Sequence, residues 1–541
     1  MLKKIWKKVK YLMTMVGTEL AEAQEGGELV LSADLEGNLN LLQERLGKSP
    51  DIIIRRFKLD QEYQAEAALI YVEGLTDEKV INEHILRPVM KAKGTVKGIK
   101  DQEKILERLM AQVITVGGVQ KTAKIEQIVS LVLTGDTAFL LDGAVNALLL
   151  STRGWQKRAL EEPDTEVIIK GPRIGFVETL RVNTALLRRE IGHPNLTFET
   201  LVVGKKTKTE VCLAYLQGLT DQKLVDEVKR RIRRINTDAI LAAGFLEEFI
   251  EDAPLSPFST VTYTERPDVA AAKILEGRVA IIIDGTPAVN TVPALFIESF
   301  QNPDDYTFRP YYSTIIRWIR YLSFALSILL PGAYVSLATF HQELIPTTLL
   351  ISMAAATEGT PLPTVLEAVG LGLVFEILRE AGIRLPRPIG QAVSIVGALV
   401  IGEAVVAAGL ISAPTVIVVA LTAIASFVSP VQVGVATILR LSLTVIAGAL
   451  GAFGIILTLL AVLVHLASLR SFGVPYLSPL VPLVPRDLKD AAIRAPLWSM
   501  LTRPEFIGGK DPQRQEFQLR PGVPALTKES KEEIKKEDDQ G

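Results

Sequence analysis

Two patterns of apolar and polar positions divide this chain near residue 318. Upstream, from about residue 40 to 300, short apolar runs alternate with longer stretches rich in Lys, Arg and Glu. Brief β-rich runs closed by turn residues read as strands and the charged stretches between them as helices, which predicts a soluble α/β region. Leu131–Leu133, Phe139–Leu141, Val167–Ile169 and Ala280–Ile283 are the predicted strands. Downstream the charges nearly vanish. Tyr321–Gln342 holds no Asp, Glu, Lys or Arg, Glu403 is the one charged residue from Pro388 to Leu439, and Leu441–Leu469 holds none.

A helix needs about 20 apolar residues to cross about 30 Å of hydrocarbon. Ile319–Phe340, Gln391–Ile411 and Leu441–Leu466 meet that length. Leu362–Leu378 and Thr415–Val428 are shorter, and Leu344–Ala356, beginning beside Pro346, suggests a re-entrant or interfacial piece. The expectation is an α-helical transmembrane bundle of four to six spans. Gly397, Gly402, Gly409, Gly448, Gly451 and Gly454 suit close helix packing in lipid. Arg309, Arg317 and Arg320 before the first span, and Arg470, Arg486, Lys489 and Arg494 after the last, place both ends on the cytoplasmic side. Arg379, Arg384 and Arg387 prefer that side too, and the preferences are not all met at once, so the topology stays open.

The soluble half contains an internal repeat. Tyr71-Val72-Glu73-Gly74-Leu75-Thr76-Asp77 recurs as Tyr215-Leu216-Gln217-Gly218-Leu219-Thr220-Asp221, and Gly135–Gly143 as Gly277–Gly285. Each copy then runs strand, Gly-Leu-Thr-Asp turn, helix, and a strand ending in Asp-Gly. Thr76 and Thr220 are predicted to cap the helices, Gly74 and Gly218 to supply positive φ, and the Asp-Gly pairs to make tight turns. The charged link between the copies, with Arg181, Arg188, Arg189 and Glu190, lacks both phosphate-binding glycine fingerprints. It reads as a helix packed between the copies. The expected organisation is an N-terminal extension (1–44), soluble subdomains at 45–160 and 161–300, a transmembrane helical domain (301–485) and a charged tail (486–541), disordered from about Pro504.

Composition narrows the function classes. Hydrophobic residues make up 48% of the 541 and charged residues 22%, which agree only if the two kinds are segregated along the chain. A formal net charge of −2 gives no argument for nucleic acid. One cysteine, Cys212, excludes an intramolecular disulfide, and with four scattered histidines no metal or cofactor site is expected. The basic start and the short apolar run Tyr11–Gly17 read as a short helix or frayed terminus rather than a cleaved signal. No Gly-x-Ser-x-Gly, His-Glu-x-x-His or phosphate loop is present, so no enzyme is expected.

Ionisable groups inside apolar helices are the functional pointers. They are Glu403, Glu367, Glu376 and His465. Glu376 and Arg440 near span ends read as snorkelling to the interface. Glu403, midway along an uncharged run, either lines a polar path, pairs within the bundle or lies in a loop.

Longer runs carry a resemblance. They are Asp284-Gly285-Thr286-Pro287, Asp304-Asp305-Tyr306, Phe340-His341-Gln342-Glu343-Leu344-Ile345-Pro346-Thr347, Glu376–Pro386, Ile389–Ala392 and Ser471-Phe472-Gly473-Val474-Pro475-Tyr476. Glu265-Arg266-Pro267-Asp268 and Asn183–Arg189 add to them. Over roughly residues 45 to 485 the chain resembles the A subunit of the GerA family of spore germinant receptors. The resemblance implies a multi-pass protein of the spore inner membrane, its soluble region facing the spore core. It implies a permease-like B subunit and a lipoprotein C subunit as partners, homo-oligomers in the bilayer, and a response to small nutrients that ends in ion release. The A-like protein of the dipicolinate-release operon is the neighbouring alternative. A self-sufficient secondary transporter is another, although the repeat lies in the soluble half rather than the membrane half.

Overall fold

The computed structural model describes residues 29–47, 49–59, 65–91, 99, 101–154, 162–163, 166–385, 400, 402–428, 430–508, 511–516 and 519. The apolar run Tyr11–Gly17, residues 391–399 and 401 of the expected span Gln391–Ile411, and the chain after 519 lie outside them.

The soluble half holds two five-stranded antiparallel sheets. The first has strands β1 (Ile52–Lys58), β2 (Glu66–Val72), β3 (Val119–Thr122), β4 (Thr137–Leu141) and β5 (Ala147–Leu150), in the order β1-β2-β4-β5-β3. The second has β6 (Leu196–Val203), β7 (Thr209–Leu216), β8 (Thr262–Thr264), β9 (Val279–Ile283) and β10 (Val289–Val292), in the order β6-β7-β9-β10-β8. The strand order is the same with every label advanced by five. The central strands are buried on both faces, and the period of two sorts their side chains between two cores. Phe139 and Leu141 enter one cluster and Ala138 and Leu140 the other; in the second sheet Val279, Ile281 and Ile283 separate in the same way from Ala280 and Ile282.

Helices cover both faces. In the first copy, α1 (Leu35–Leu46) buries Leu35, Leu39, Leu42 and Leu46 on the sheet beside α2 (Ile125–Leu133). So α1, which straddles the expected start of the first subdomain at residue 45, is part of its core. The predicted strand Leu131–Leu133 is instead the last turn of α2. Ile125, Ile128 and Val132 recur at helical spacing, and the strand begins only after the positive-φ turn at Gly135. The second copy uses α3 (Leu180–Glu190), α4 (Gln222–Arg233), α5 (Ala243–Ile250) and α6 (Pro267–Leu275). The predicted strand Val167–Ile169 is irregular chain. Val167 and Ile169 face solvent while Ile168 is buried, and the Ile169 N–H donates to Asp304 rather than to a neighbouring strand.

Both copies close through the same corner. The carboxylate of Asp142 accepts from the N–H of Leu35, the first residue of α1, at 3.2 Å, and that of Asp284 from Leu180, the first residue of α3, at 3.0 Å. Asn38 grips the main chain of Ser32 from both sides, as Asn183 does Val177. The glycines of the repeat have positive φ, 84° at Gly74 and 88° at Gly218. The helix caps are the aspartates, not the threonines. Asp77 accepts from Lys79 and Val80, and Asp221 from Lys223, while the Thr76 hydroxyl turns back to the Val72 carbonyl. The copies are joined by Arg188 of α3, fully buried, whose Nε and Nη2 each lie 2.9 Å from a carboxylate oxygen of Asp51.

The apolar half comprises α7 (Pro310–Thr339), α8 (Thr347–Thr357), α9 (Thr364–Arg384), α10 (Ala413–Phe427) and α11 (Val433–Ser468). Among the described residues two helices are long and apolar enough to cross a bilayer, α7 with 30 residues and α11 with 36. α10, at 15 residues, spans about 22 Å. α7 packs along α11 where Gly332 lies against the Leu443 backbone; a Cβ there would sit 3.3 Å from the Leu443 carbonyl oxygen. α11 is broken at Gly451, with φ 61° and ψ −148°. Phe340 and His341, at the end of α7, fill the break, and the freed Ala452 N–H is directed at His341 Nε2 at 3.4 Å.

Candidate functional site

Two polar regions stand out, one inside the apolar helices and one where they meet the soluble half. Inside, Glu367 of α9 is 1% exposed. Its Oε2 accepts from the Ser412 N–H (3.2 Å), the Ser412 hydroxyl (2.7 Å) and the Thr415 hydroxyl (2.8 Å), and Thr415 also reaches Tyr334 of α7. Ser412 and Thr415 belong to the start of α10, whose orphan N–H groups favour an anion. Among the described residues no Lys or Arg pairs with Glu367, and its Oε1 is buried without a hydrogen bond.

Glu376, two to three turns further along α9, pairs with Arg379 of its own helix and with Arg440 of α11. Arg440 is buried, so these two groups do not snorkel as the sequence reading expected; they neutralise each other between helices. Arg440 also borders a small cavity with Pro331, Gly372, Thr422 and Thr444. Glu403 is exposed on a short helical stretch that ends at the positive-φ Gly409. His465 lies in the last turn of α11, where Nε2 is 2.9 Å from the Ser256 hydroxyl of the second copy and the ring packs near Phe258. The structure therefore does not gather the four expected residues into one site. Glu367 and Glu376 share α9, Glu403 stands apart, and His465 marks the joint to the soluble half.

The joint holds the residues that sequence reading missed. Arg317 of α7 is fully buried and donates to Asp305 from Nε (3.2 Å) and Nη2 (3.0 Å). Its Nη1 reaches the Asp490 carboxylate (3.2 Å) and carbonyl. Arg320 adds a 2.7 Å bond to Asp305, Arg494 donates to the Asp305 carbonyl, and the Tyr306 hydroxyl donates to Asp490 at 2.9 Å. Burial pushes the Asp490 carboxyl up, against the pull of Arg317, and pushes the Tyr306 phenol well above its ordinary range. Three of the arginines read as topology markers, Arg317, Arg320 and Arg494, are thus internal partners of the Asp304-Asp305-Tyr306 run. Residues 488–494 are built into this joint, and Thr502 bridges to Gln513, so the described part of the tail keeps contacts beyond Pro504, where disorder was expected.

Two further runs of the resemblance are fixed by buried contacts. Buried Ser471 donates to the Thr260 carbonyl at 2.6 Å and accepts the Ala294 N–H at 2.8 Å. Arg231 of α4 stacks 4.1 Å over Phe472. Arg266, fully buried, holds Asp268 and the carbonyls of Pro172 and Glu166. Among the described residues no group of acidic, His or Cys side chains has the geometry of a metal site. Burial pushes the Cys212 thiol up to about 12, which leaves it inert.

This arrangement defines a class, a repeated soluble α/β region bolted to membrane-type helices through a buried ionic joint. Residues 40–506 match the family described as Bacillus/Clostridium GerA spore germination protein, and the chain belongs to that family. It is 42% identical over 495 residues to spore germination protein KA of Bacillus subtilis (strain 168), covering 91% of this chain and 90% of that one. It is 37% identical to spore germination protein GerLA of Bacillus cereus, covering 88% and 97%. The crystal structure of the N-terminal domain of the A subunit of the Bacillus megaterium spore germinant receptor GerK3 aligns at 35% identity and a TM-score of 0.39, over 49% of this chain and 97% of that one.

Proposed function

We propose that the chain is the A subunit of a nutrient-responsive germination receptor of the spore inner membrane. In this reading α7, α11 and their neighbours span the bilayer and the soluble copies face the spore core. Copies of the chain assemble with a permease-like B subunit and a lipoprotein C subunit. The bundle contributes to the ion-conducting or signal-transducing path, and the ionic joint passes movement between the soluble copies and α7. Family membership supports the receptor role, and the two long apolar helices support attachment to a membrane.

The observation that carries the path is Glu367 of α9, a buried carboxylate held by two hydroxyls and an amide at the start of α10, with no paired cation among the described residues. A carboxylate is retained in such a place at considerable cost, and acidic groups along a pore favour cations. Single-channel recording of the purified chain in planar bilayers, alone and then with B and C subunits and candidate amino acids, tests it. The expected result is nutrient-dependent current whose cation selectivity falls in Glu367→Gln and Glu403→Gln. Silence from an intact complex places the ion path in another subunit. Unchanged conductance and selectivity in both variants removes these residues from it.

A further inference from the structure

The segment 251–261 of the second copy grips the end of α11, beside Ala294 and Phe296. Ser256 bonds His465, and Phe258, 1% exposed, packs against Phe296 and His465. The Thr260 carbonyl takes the Ser471 hydroxyl. Arg231 of α4 pairs with Asp252 and Val261 enters the core of the second sheet, and Ser259 adds a third hold on the segment. Its Oγ lies 2.6 Å from Glu247 Oε1, 3.0 Å from Glu251 Oε1 and 2.7 Å from the Val261 carbonyl, and it accepts the Val261 N–H at 3.2 Å.

A serine hydroxyl has one hydrogen and two lone pairs. Three acceptors crowd that hydrogen, and two of them are carboxylate oxygens. With both glutamates ionised, at least one faces the hydroxyl oxygen without a hydrogen between them. A proton on one carboxyl resolves this: it donates into the free lone pair of Ser259, which in turn donates to the other glutamate. Among the described residues no Lys or Arg is paired with Glu247 or Glu251. Glu248 of α5 adds negative charge, and Arg231 of α4 is committed to Glu227, Asp252 and the Ile250 carbonyl. Tyr263 of β8, Tyr476 beyond α11 and His465 complete the surroundings.

We propose that Glu247 and Glu251 share one proton through Ser259, and that this proton latches the 251–261 segment beneath the end of α11. The latch is independent of any ion path in the bundle. Burial first, and the neighbouring carboxylates of Glu247 and Glu248, push the Glu251 carboxyl up to about 7 against the pull of the Ser259 hydroxyl. A carboxyl raised in the closed state stabilises that state fully below its ordinary value of 4.5. The stabilisation is lost as pH rises through about 7. A mildly acidic surrounding therefore keeps α11 docked, and a shift to mildly alkaline releases it.

Hydrogen–deuterium exchange of the full chain in detergent, followed in peptides covering 251–261, tests this. One pKa unit biases a conformational equilibrium about tenfold. The protection of these amides, corrected for the intrinsic pH dependence of exchange, is expected to fall about tenfold between about pH 6 and about pH 8, while the strands of both sheets hold theirs. Glu251→Gln, whose amide donates to Ser259 at every pH, is expected to stay protected across that range. Glu247→Gln removes the like charge and is expected to move the transition to lower pH. Equal pH dependence in the wild-type chain and Glu251→Gln overturns the proposal, and where that variant does not fold, an unmoved transition in Glu247→Gln does the same.

Discussion

The two soluble copies share strand order, the Asp-to-helix corner, the Asn clasp and the aspartate caps, yet among the described residues only the second is fastened to the apolar helices. The fastening comes from what is attached to the common frame. The second copy has the 251–261 segment after α5, a chain from Ala294 to Phe300 that packs aromatic rings against α7, and Ser471 from beyond α11. The first copy touches the second through Arg188 and Asp51 and stands further along the soluble half. A scaffold repeated for stability has thus acquired its joint through loops, where insertions are tolerated.

The largest effect separates joint from frame. Arg317→Leu leaves half-buried Asp490 without its main partner and buried Asp305 with Arg320 as its one remaining ionic partner. Breaking one side of a buried ion pair costs about 3–5 kcal/mol. Thermal unfolding in detergent should show that loss, with hydrogen exchange in β2 and β4 unchanged. A melt close to the parent protein would mean that the joint does not tie the halves together. A middle-sized effect tests whether the copies are equivalent. Asn38→Ala and Asn183→Ala each delete two clasp bonds, for about 1–2 kcal/mol, and chemical denaturation should find the two costs alike. A large cost at one and none at the other would confine the clasp's role to a single copy. The smallest effect concerns the caps. Asp77→Ala and Asp221→Ala should each cost about 1 kcal/mol, more at Asp77, which accepts from two amides where Asp221 accepts from one. The reverse order would assign the cost to something other than the cap bonds.

Much of the frame was legible because it rests on local rules. Gly74 and Gly218 signalled positive φ, the Asp-Gly pairs signalled turns, and the buried runs at β4 and β9 signalled strands. Leu131–Leu133 misled because three adjacent apolar residues fit the end of an amphipathic helix as well as a strand. The clasp escaped notice because Asn38 and Asn183 sit in dissimilar surroundings, LEGNLN and LRVNTA, and act on backbone atoms that carry no sequence signal. In the apolar half the signal for length was clear at α7 and α11. The partners of its charges were not, since Arg317 and Asp490 are 173 positions apart and Glu376 and Arg440 are 64. An arginine beside an apolar run looks the same whether it faces lipid headgroups or an internal aspartate.

The Asp corner has a consequence for ancestry. Asp142 returns to Leu35 across 107 positions, and Asp284 to Leu180 across 104. In each copy the turn between the last two strands comes back to the opening helix, so the unit's beginning lies beside its closing hairpin. A stretch of gene encoding such a unit can be doubled in tandem without tearing a sheet apart, because each product carries its own closure and the new junction falls at the surface. The inherited contact is therefore the one that made copying harmless.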